Sequence, residues 1–216
     1  MFSERQSIML SETVELLAQW RLICPIGLNR VTAGLREQKR LVWSRTPQAR
    51  FYLPLFILIA IYTGRRKEAI LSLRWPQIDL DRRTINFELA GRKRTNKRRG
   101  IVPIPPRLLP HLERAKRRGT EMGYVLHVNG VRLGDVKKGF AAACKRAGLQ
   151  GVTPHTLRHT CATWLMQQRT DPWQAAGFLA MSMETLQRVY GHHHPDYQRE
   201  AAENIGRRPQ IVRVMA

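Results

Sequence analysis

Apolar positions recur at helical spacing over most of the chain and switch to strand-like alternation in one short region. Ser11 predicts a helix start running through Trp20, with Val14, Leu17 and Ala18 on one face. Residues 21 to 46 are irregular and basic and show no clear period. Pro47 opens a second helix near Gln48, which carries the apolar run Leu53 to Tyr62 and stops at Thr63-Gly64. A short helix from Arg66 to Arg74 turns Ala69, Ile70 and Leu73 inward. The period then changes. Gln77 to Leu80, Thr84 to Leu89 and Ile101 to Ile104 read as strands. The polar turn Asp81-Arg82-Arg83 joins the first two, and the segment GRKRTNKRRG, residues 91 to 100, joins the last two. Together they predict a small antiparallel sheet with a basic turn at its tip.

Helical spacing resumes at Leu108 to Arg118 and again at Val136 to Ala147, where Asp135 is placed to cap. Tyr124 to Leu133, centred on Asn129-Gly130, is either a hairpin or a loop with a short extended stretch. Thr153-Pro154 is a cap followed by a first-turn proline and opens a helix to about Gln168. Pro172 to Leu179, Glu184 to Val189 and a stretch after Pro195 to about Asn204 complete the helices. The expected fold class is mainly α with a small antiparallel three-stranded β-sheet. No domain boundary is marked, so residues 1 to 216 read as a single domain.

Composition narrows the function classes. With 43% hydrophobic and 25% charged residues, the chain is not a wholly disordered one. Its 37 Lys and Arg against 16 Asp and Glu leave a formal charge of +21, which calls for a polyanionic partner, nucleic acid before a membrane surface. Cys24, Cys144 and Cys161 are odd in number and far apart, so neither a disulfide framework nor a CxxC metal site is expected, and a reducing cytoplasm fits better. The longest apolar run has ten residues with Pro54 inside it, too short to cross a bilayer. No membrane partner is expected.

Three stretches carry chemistry. In PHTLRHTCATWLMQQRTD, residues 154 to 171, His155 and Arg158 project from one face near a helix N-terminus, where orphan N–H groups already favour phosphate. A guanidinium and an imidazole there make a phosphate clamp with a proton-transfer group beside it. In YTGRRKEAILSLRW, residues 62 to 75, Arg66 offers a planar two-donor fork near another helix start. In RVYGHHHPDY, residues 188 to 197, Tyr190 closes a short helix before Gly191. The adjacent His192, His193 and His194 are poorly spaced to share one metal ion from a helix. A phenol, with a pKa of about 10, becomes a usable nucleophile when flanking cations stabilise its phenolate and a phosphorane.

Taken together, TGRR (63 to 66), the basic turn followed by VPI (102 to 104), HTLRH (155 to 159) and FLAMSMETLQRVY (178 to 190) resemble the catalytic domain of the tyrosine recombinases, the phage-integrase family. The resemblance covers roughly residues 50 to 200 and rests on the combination, since no single motif is specific. It implies an integrase-type catalytic fold and site-specific DNA recombination. Arg66 and Arg158 would hold the non-bridging oxygens of the scissile phosphate. Tyr190 would attack in line to leave a 3′-phosphotyrosyl bond and a free 5′-hydroxyl. His155 would assist proton transfer or brace the phosphate. A lysine of the basic turn, Lys97 or alternatively Lys93, would protonate the departing 5′-oxygen. Arg92, Lys93, Arg94, Arg98 and Arg99, with Arg65, are the expected DNA contacts. Neither cofactor nor metal is implied. The partners would be double-stranded DNA and further copies of the chain, a tetramer on DNA, with residues 196 to 216 as an exchange tail. The expected setting is the cytoplasm of a bacterium, encoded there or by a phage, in association with the nucleoid.

The sequence departs from the family pattern in three places. Met181 stands nine positions before Tyr190, where a histidine or tryptophan is usual. Ala69 stands three positions after Arg66, where an acidic residue is usual, with Glu68 one step early. The N-terminal helical domain that completes a clamp around DNA is expected to be absent. Two further readings therefore stand beside recombination: a catalytically weak or silent DNA-binding integrase remnant, and a type IB topoisomerase-like enzyme.

Overall fold

A computed structural model of the protein describes residues 49–88, 100–117, 123–128 and 130–205, with side chains from residue 52 onward. The expected helix from Ser11, the irregular stretch 21 to 46, Cys24 and the basic turn lie outside the described residues, as does the tail beyond residue 205.

The first described helix, α1 (Ala49–Thr63), has Pro54 inside it. Its apolar run is buried on several faces at once: Leu53, Leu55, Phe56, Ile57, Ile59, Ala60 and Ile61 are all core residues. A helix apolar all round belongs at the centre of a fold. Here α1 packs against α2 (Lys67–Leu71), α3 (Leu109–Lys116), α4 (Lys137–Arg146) and α5 (Pro154–Gln167). Gly64 ends α1 in the left-handed region, at φ +58°. Its N–H returns to Ala60 O at 2.9 Å, and the Thr63 hydroxyl donates to Ile59 O at 2.6 Å.

The sheet is three-stranded and antiparallel, in the order β1 (Ile78–Asp79), β2 (Thr84–Asn86), β3 (Ile101–Pro103). Ile85 lies opposite Val102, and both are buried. The stretch centred on Asn129-Gly130 is a hairpin, β4 (His127–Val128) pairing with β5 (Val131–Arg132). The expected helix from Arg66 is shorter than its periodicity suggested. It stops at Leu71, and Trp75–Gln77 forms a 3-10 turn. Arg74 leaves the helix to bridge with Tyr124, its Nη2 donating to the Tyr124 hydroxyl at 3.0 Å.

The remaining helices are α6 (Pro172–Leu179), α7 (Met183–Tyr190) and α8 (Arg199–Ile205), with a 3-10 turn at Gly191–His193 between the last two. Asp171 and Ser182 cap α6 and α7 by accepting from Gln174 N and Thr185 N. Thr153 N donates to Thr156 Oγ1 at 3.1 Å at the start of α5. Apolar side chains form two clusters. One surrounds α1, the sheet, α3 and α4, and includes Leu157; the other joins α5, α6 and α7 through Cys161, Ala162, Met166, Leu179 and Leu186. Helix α5 thus belongs to both clusters, and the polar groups described next lie along that seam. Among the described residues no helix is long and apolar enough to cross a membrane.

Candidate active site

Arg158 is the hub. It is 5% exposed, and its Nη1 donates to two main-chain carbonyls, Gly64 O and Leu179 O, each at 2.6 Å. Both carbonyls sit at helix C-terminal ends, of α1 and α6, where the backbone dipole favours a cation. Two left-handed residues make this possible: Gly64, and Ala180 at φ +49° just after α6. A Cβ on Gly64 would overlap Leu179 and stand 3.1 Å from Cys161 Sγ, so the turn tolerates no side chain there. No described protein group accepts from Arg158 Nε or Nη2. Those donors remain for an anion. Desolvation, and secondarily the charge of Arg66, lower the Arg158 pKa to about 10.

The turn after Gly64 alternates. Arg66 is exposed and extended (φ −66°, ψ 145°) at the start of α2, and its charge reaches both Arg158 and His155. Arg65, expected as a DNA contact, instead points inward. It is 4% exposed, its guanidinium stands 5.2 Å from the centre of the Phe87 ring, and its Nε and Nη1 are buried without a described partner. Burial, then Arg158 and Arg66, lower its pKa to about 10. In extended backbone successive side chains point to opposite sides, so only one of the two arginines can face solvent, and the Phe87 ring receives Arg65. No described Asp or Glu forms an ion pair with Arg65, Arg66 or Arg158. Glu68 pairs instead with Lys67 at 3.5 Å and Arg132 at 3.2 Å, so it does not replace the carboxylate missing at Ala69. Arg66 and Arg158, facing no described carboxylate, favour an incoming phosphate.

Helix α5 supplies the imidazoles. His155 and His159 are one turn apart, with ring centres 4.6 Å apart and nearly perpendicular. Desolvation and neighbouring positive charge push both below the ordinary histidine range, Arg158 and Arg66 acting on His155, and His155 and Arg158 on His159. Tyr190, 5% exposed at the end of α7, brings its hydroxyl to 2.8 Å from His159 Nδ1. Burial raises the phenol pKa, while Arg158 works in the opposite direction. The i, i+4 repeat of histidine in HTLRH puts His159 on the helix face of His155, but the approach of Tyr190 is not written in that motif.

The structure therefore brings Arg66, Arg158, His155 and Tyr190 into one electrostatic neighbourhood. Lys97, Arg92, Lys93, Arg94, Arg98 and Arg99 lie outside the described residues. The stem of their turn is described: Phe87 N donates to Gly100 O at 3.1 Å, and Phe87 rests on Arg65. Met181 is partly buried against the second apolar cluster. Tyr197, the other tyrosine nearby in sequence, is 51% exposed and lies beside Gly191. The rings of His192 and His193 are 4.0 Å apart, and among the described residues no three His, Cys, Asp or Glu are grouped to hold a metal ion.

Comparison with known proteins identifies the family of the chain. The phage integrase family matches residues 39–196, most of the chain, and the protein belongs to that family. A XerC-type tyrosine recombinase of Pseudomonas syringae is 32% identical over 154 residues, covering 65% of this chain and 30% of that relative. The integrase of Salmonella phage P22 is 26% identical, covering 87% of this chain and 52% of its own length. The chain thus spans about half, or less, of the length of these curated relatives. Among solved structures, XerA recombinase superposes with a TM-score of 0.57 at 25% identity, over 85% of this chain and 68% of that one. The catalytic domain of bacteriophage HP1 integrase shares the fold with a TM-score of 0.52 at 24% identity, over 82% of this chain and 95% of that domain.

Proposed function

We propose that the chain cleaves and rejoins double-stranded DNA at specific sites through a 3′-phosphotyrosyl link on Tyr190. The observation that carries this reading is the seating of Arg158 between Gly64 and Leu179, with Arg66 and His155 in the same field and Tyr190 one imidazole away. Arg158 and Arg66 hold the non-bridging oxygens and offset the charge that grows on them in the phosphorane. His155, at the α5 N-terminus, braces the phosphate or assists proton transfer. Lys97, or alternatively Lys93, protonates the leaving 5′-oxygen; the contact of Arg65 with Phe87, two residues before the undescribed segment that holds these lysines, supports this. Arg92, Lys93, Arg94, Arg98 and Arg99 contact the DNA backbone. The phosphotyrosyl link retains the phosphodiester energy, so rejoining needs no ATP.

Two observations favour a slow variant of this chemistry. Met181 fills the place of a hydrogen-bond donor, and Glu68 is engaged elsewhere. A catalytically silent DNA-binding protein is the limit of that trend. The reading extends to assembly as a homo-oligomer on DNA through residues 196 to 216. Helix α8 buries none of its residues in this chain, and Ile205 is 89% exposed. Removing residues beyond Arg208 should lower the particle mass on DNA; an unchanged mass removes the exchange idea.

The test is covalent capture on nicked duplexes carrying a randomised core, with this chain alone and with a supplied N-terminal clamp domain. An adduct that persists in denaturant and disappears in Tyr190→Phe is the expected result. Tight, salt-sensitive binding with no adduct would leave the DNA-binding reading in its place. Relaxation of supercoiled plasmid by the chain alone would point to the topoisomerase-like reaction.

A further inference from the structure

We propose that His159 is the proton acceptor for Tyr190: its Nδ1 takes the phenolic proton as the Tyr190 oxygen attacks the scissile phosphorus. The inference rests on the reading above and adds a residue to it. Its basis is contact. His159 is the described side chain within hydrogen-bond distance of the Tyr190 hydroxyl, at 2.8 Å, with the two rings tilted by 48°. His155 meets His159 edge-on, is exposed at the α5 N-terminus, and feels Arg66 and Arg158, so it belongs to the phosphate side of the site.

A buried phenol needs such a partner. Desolvation holds Tyr190 in its protonated form, and Arg158 offsets this only in part. An imidazole can accept only when neutral, and burial together with the charges of His155 and Arg158 keeps His159 in that form. An arriving phosphate brings negative charge beside the imidazole and so raises its basicity when the proton must move. The other ionisable group of α5 beside Tyr190 is Cys161, a thiol whose pKa burial pushes up to about 12. Helix α1 carries Tyr52 and Tyr62 among its described side chains, and α6 carries no ionisable group. Besides Tyr190, α7 carries Glu184 and Arg188, both exposed, and the following turn brings His192 and His193.

The step balances. The Tyr190 O–H bond breaks and its proton passes to His159 Nδ1. The oxygen–phosphorus bond forms, and the bond from phosphorus to the 5′-oxygen breaks. That oxygen leaves with the electron pair and takes a proton from a basic-turn lysine or from water. In rejoining, the 5′-hydroxyl gives its proton back to that lysine or to water and its oxygen bonds phosphorus, the bond from phosphorus to the Tyr190 oxygen breaks, and His159 returns its proton to the phenolate.

The experiment compares the full chain with His159→Asn, which keeps an acceptor near the Nδ1 position but cannot take the proton. Two pools of nicked duplexes with a randomised core are used, one with the normal linkage and one with a 5′-bridging phosphorothiolate, whose sulfur leaves without an acid. Loss of a general base should slow adduct formation by about 10²-fold or more. The deficit should be equal on both pools and shrink as pH rises, because hydroxide substitutes for the imidazole. In His159→Gly, added imidazole should restore part of the rate, which separates lost chemistry from lost folding. Wild-type rate and pH profile in His159→Asn would overturn the proposal alone, as would full rescue by sulfur, which would place His159 on the leaving group. Absence of any adduct from the unaltered chain on both pools would instead remove the underlying reading, and this inference with it.

Discussion

At the scale of single residues, the site depends on how one guanidinium is held. Arg158 Nη1 bridges two carbonyls belonging to different helices, leaving its other donors for a phosphate. A lysine is a point charge without that planar fork and cannot do both. Arg158→Lys should therefore lower the adduct-forming rate by about 10²- to 10³-fold, the cost of losing a preorganised donor to a developing oxyanion. Rates of adduct formation under single-turnover conditions check this, and a loss under threefold would assign the phosphate to other groups. Met181 gives the opposite prediction. Met181→His returns a donor nine positions before Tyr190 and should raise the same rate, by as much as about 10²-fold. An unchanged rate would show that His192 or His193 already supplies the hydrogen bond.

At the scale of elements, the turn between α1 and α2 controls where the arginines stand. Gly64→Ala would strain a residue at φ +58° and push a Cβ into Leu179. Left-handed strain of about 1–2 kcal/mol and overpacking of about 1–3 kcal/mol predict a loss of roughly 2–5 kcal/mol in denaturant unfolding. A loss below 0.5 kcal/mol, by order of magnitude the scale of a neutral surface change, would show that the turn can open. The same turn marks where sequence reasoning reached and where it stopped. The ends of α1 and α6, and the strand order, follow from punctuation that acts locally: Thr63-Gly64, Pro172 and the alternation around Ile85. The inward turn of Arg65 does not, because the choice between two adjacent arginines is made by Phe87, just past the end of β2 and twenty-two positions away in the chain. His159 was missed for a related reason. Its partner Tyr190 arrives on a different helix, and nothing in HTLRH alone distinguishes a structural histidine from one that meets a phenol. The end of α2 at Leu71 was likewise invisible locally, since Arg74 is drawn away by pairing with Tyr124.

At the scale of the whole molecule, charge and pH dominate. A formal charge of +21, with Arg66 and Arg158 facing no described carboxylate, predicts binding to duplex DNA that weakens steeply with salt. A shallow dependence between 50 and 200 mM salt, a range over which several phosphate contacts cost about 10³-fold or more, would count against a phosphate-tracking surface. Stability should fall in acid. His111, His155, His159 and His193 all have pKa values below the ordinary 6.5 in the fold, desolvation being the leading cause for each. Below pH 6.5 the unfolded chain binds protons that the folded chain resists, so folding stability is present above that pH and declines as pH drops through the lowered folded values. Thermal melts between pH 7.5 and 5 check the sign; a melting temperature that rises toward pH 5 would contradict it.

The central claim, that Tyr190 forms the covalent link to DNA within the Arg66–Arg158 site, is tested most directly by mapping the trapped adduct. The complex formed on a nicked duplex pool is digested with protease and nuclease, and the modified peptide is sequenced by mass spectrometry. The account predicts a nucleotide 3′-phosphate esterified to Tyr190. The same modification on Tyr197, or on a serine or histidine elsewhere in the chain, would contradict it.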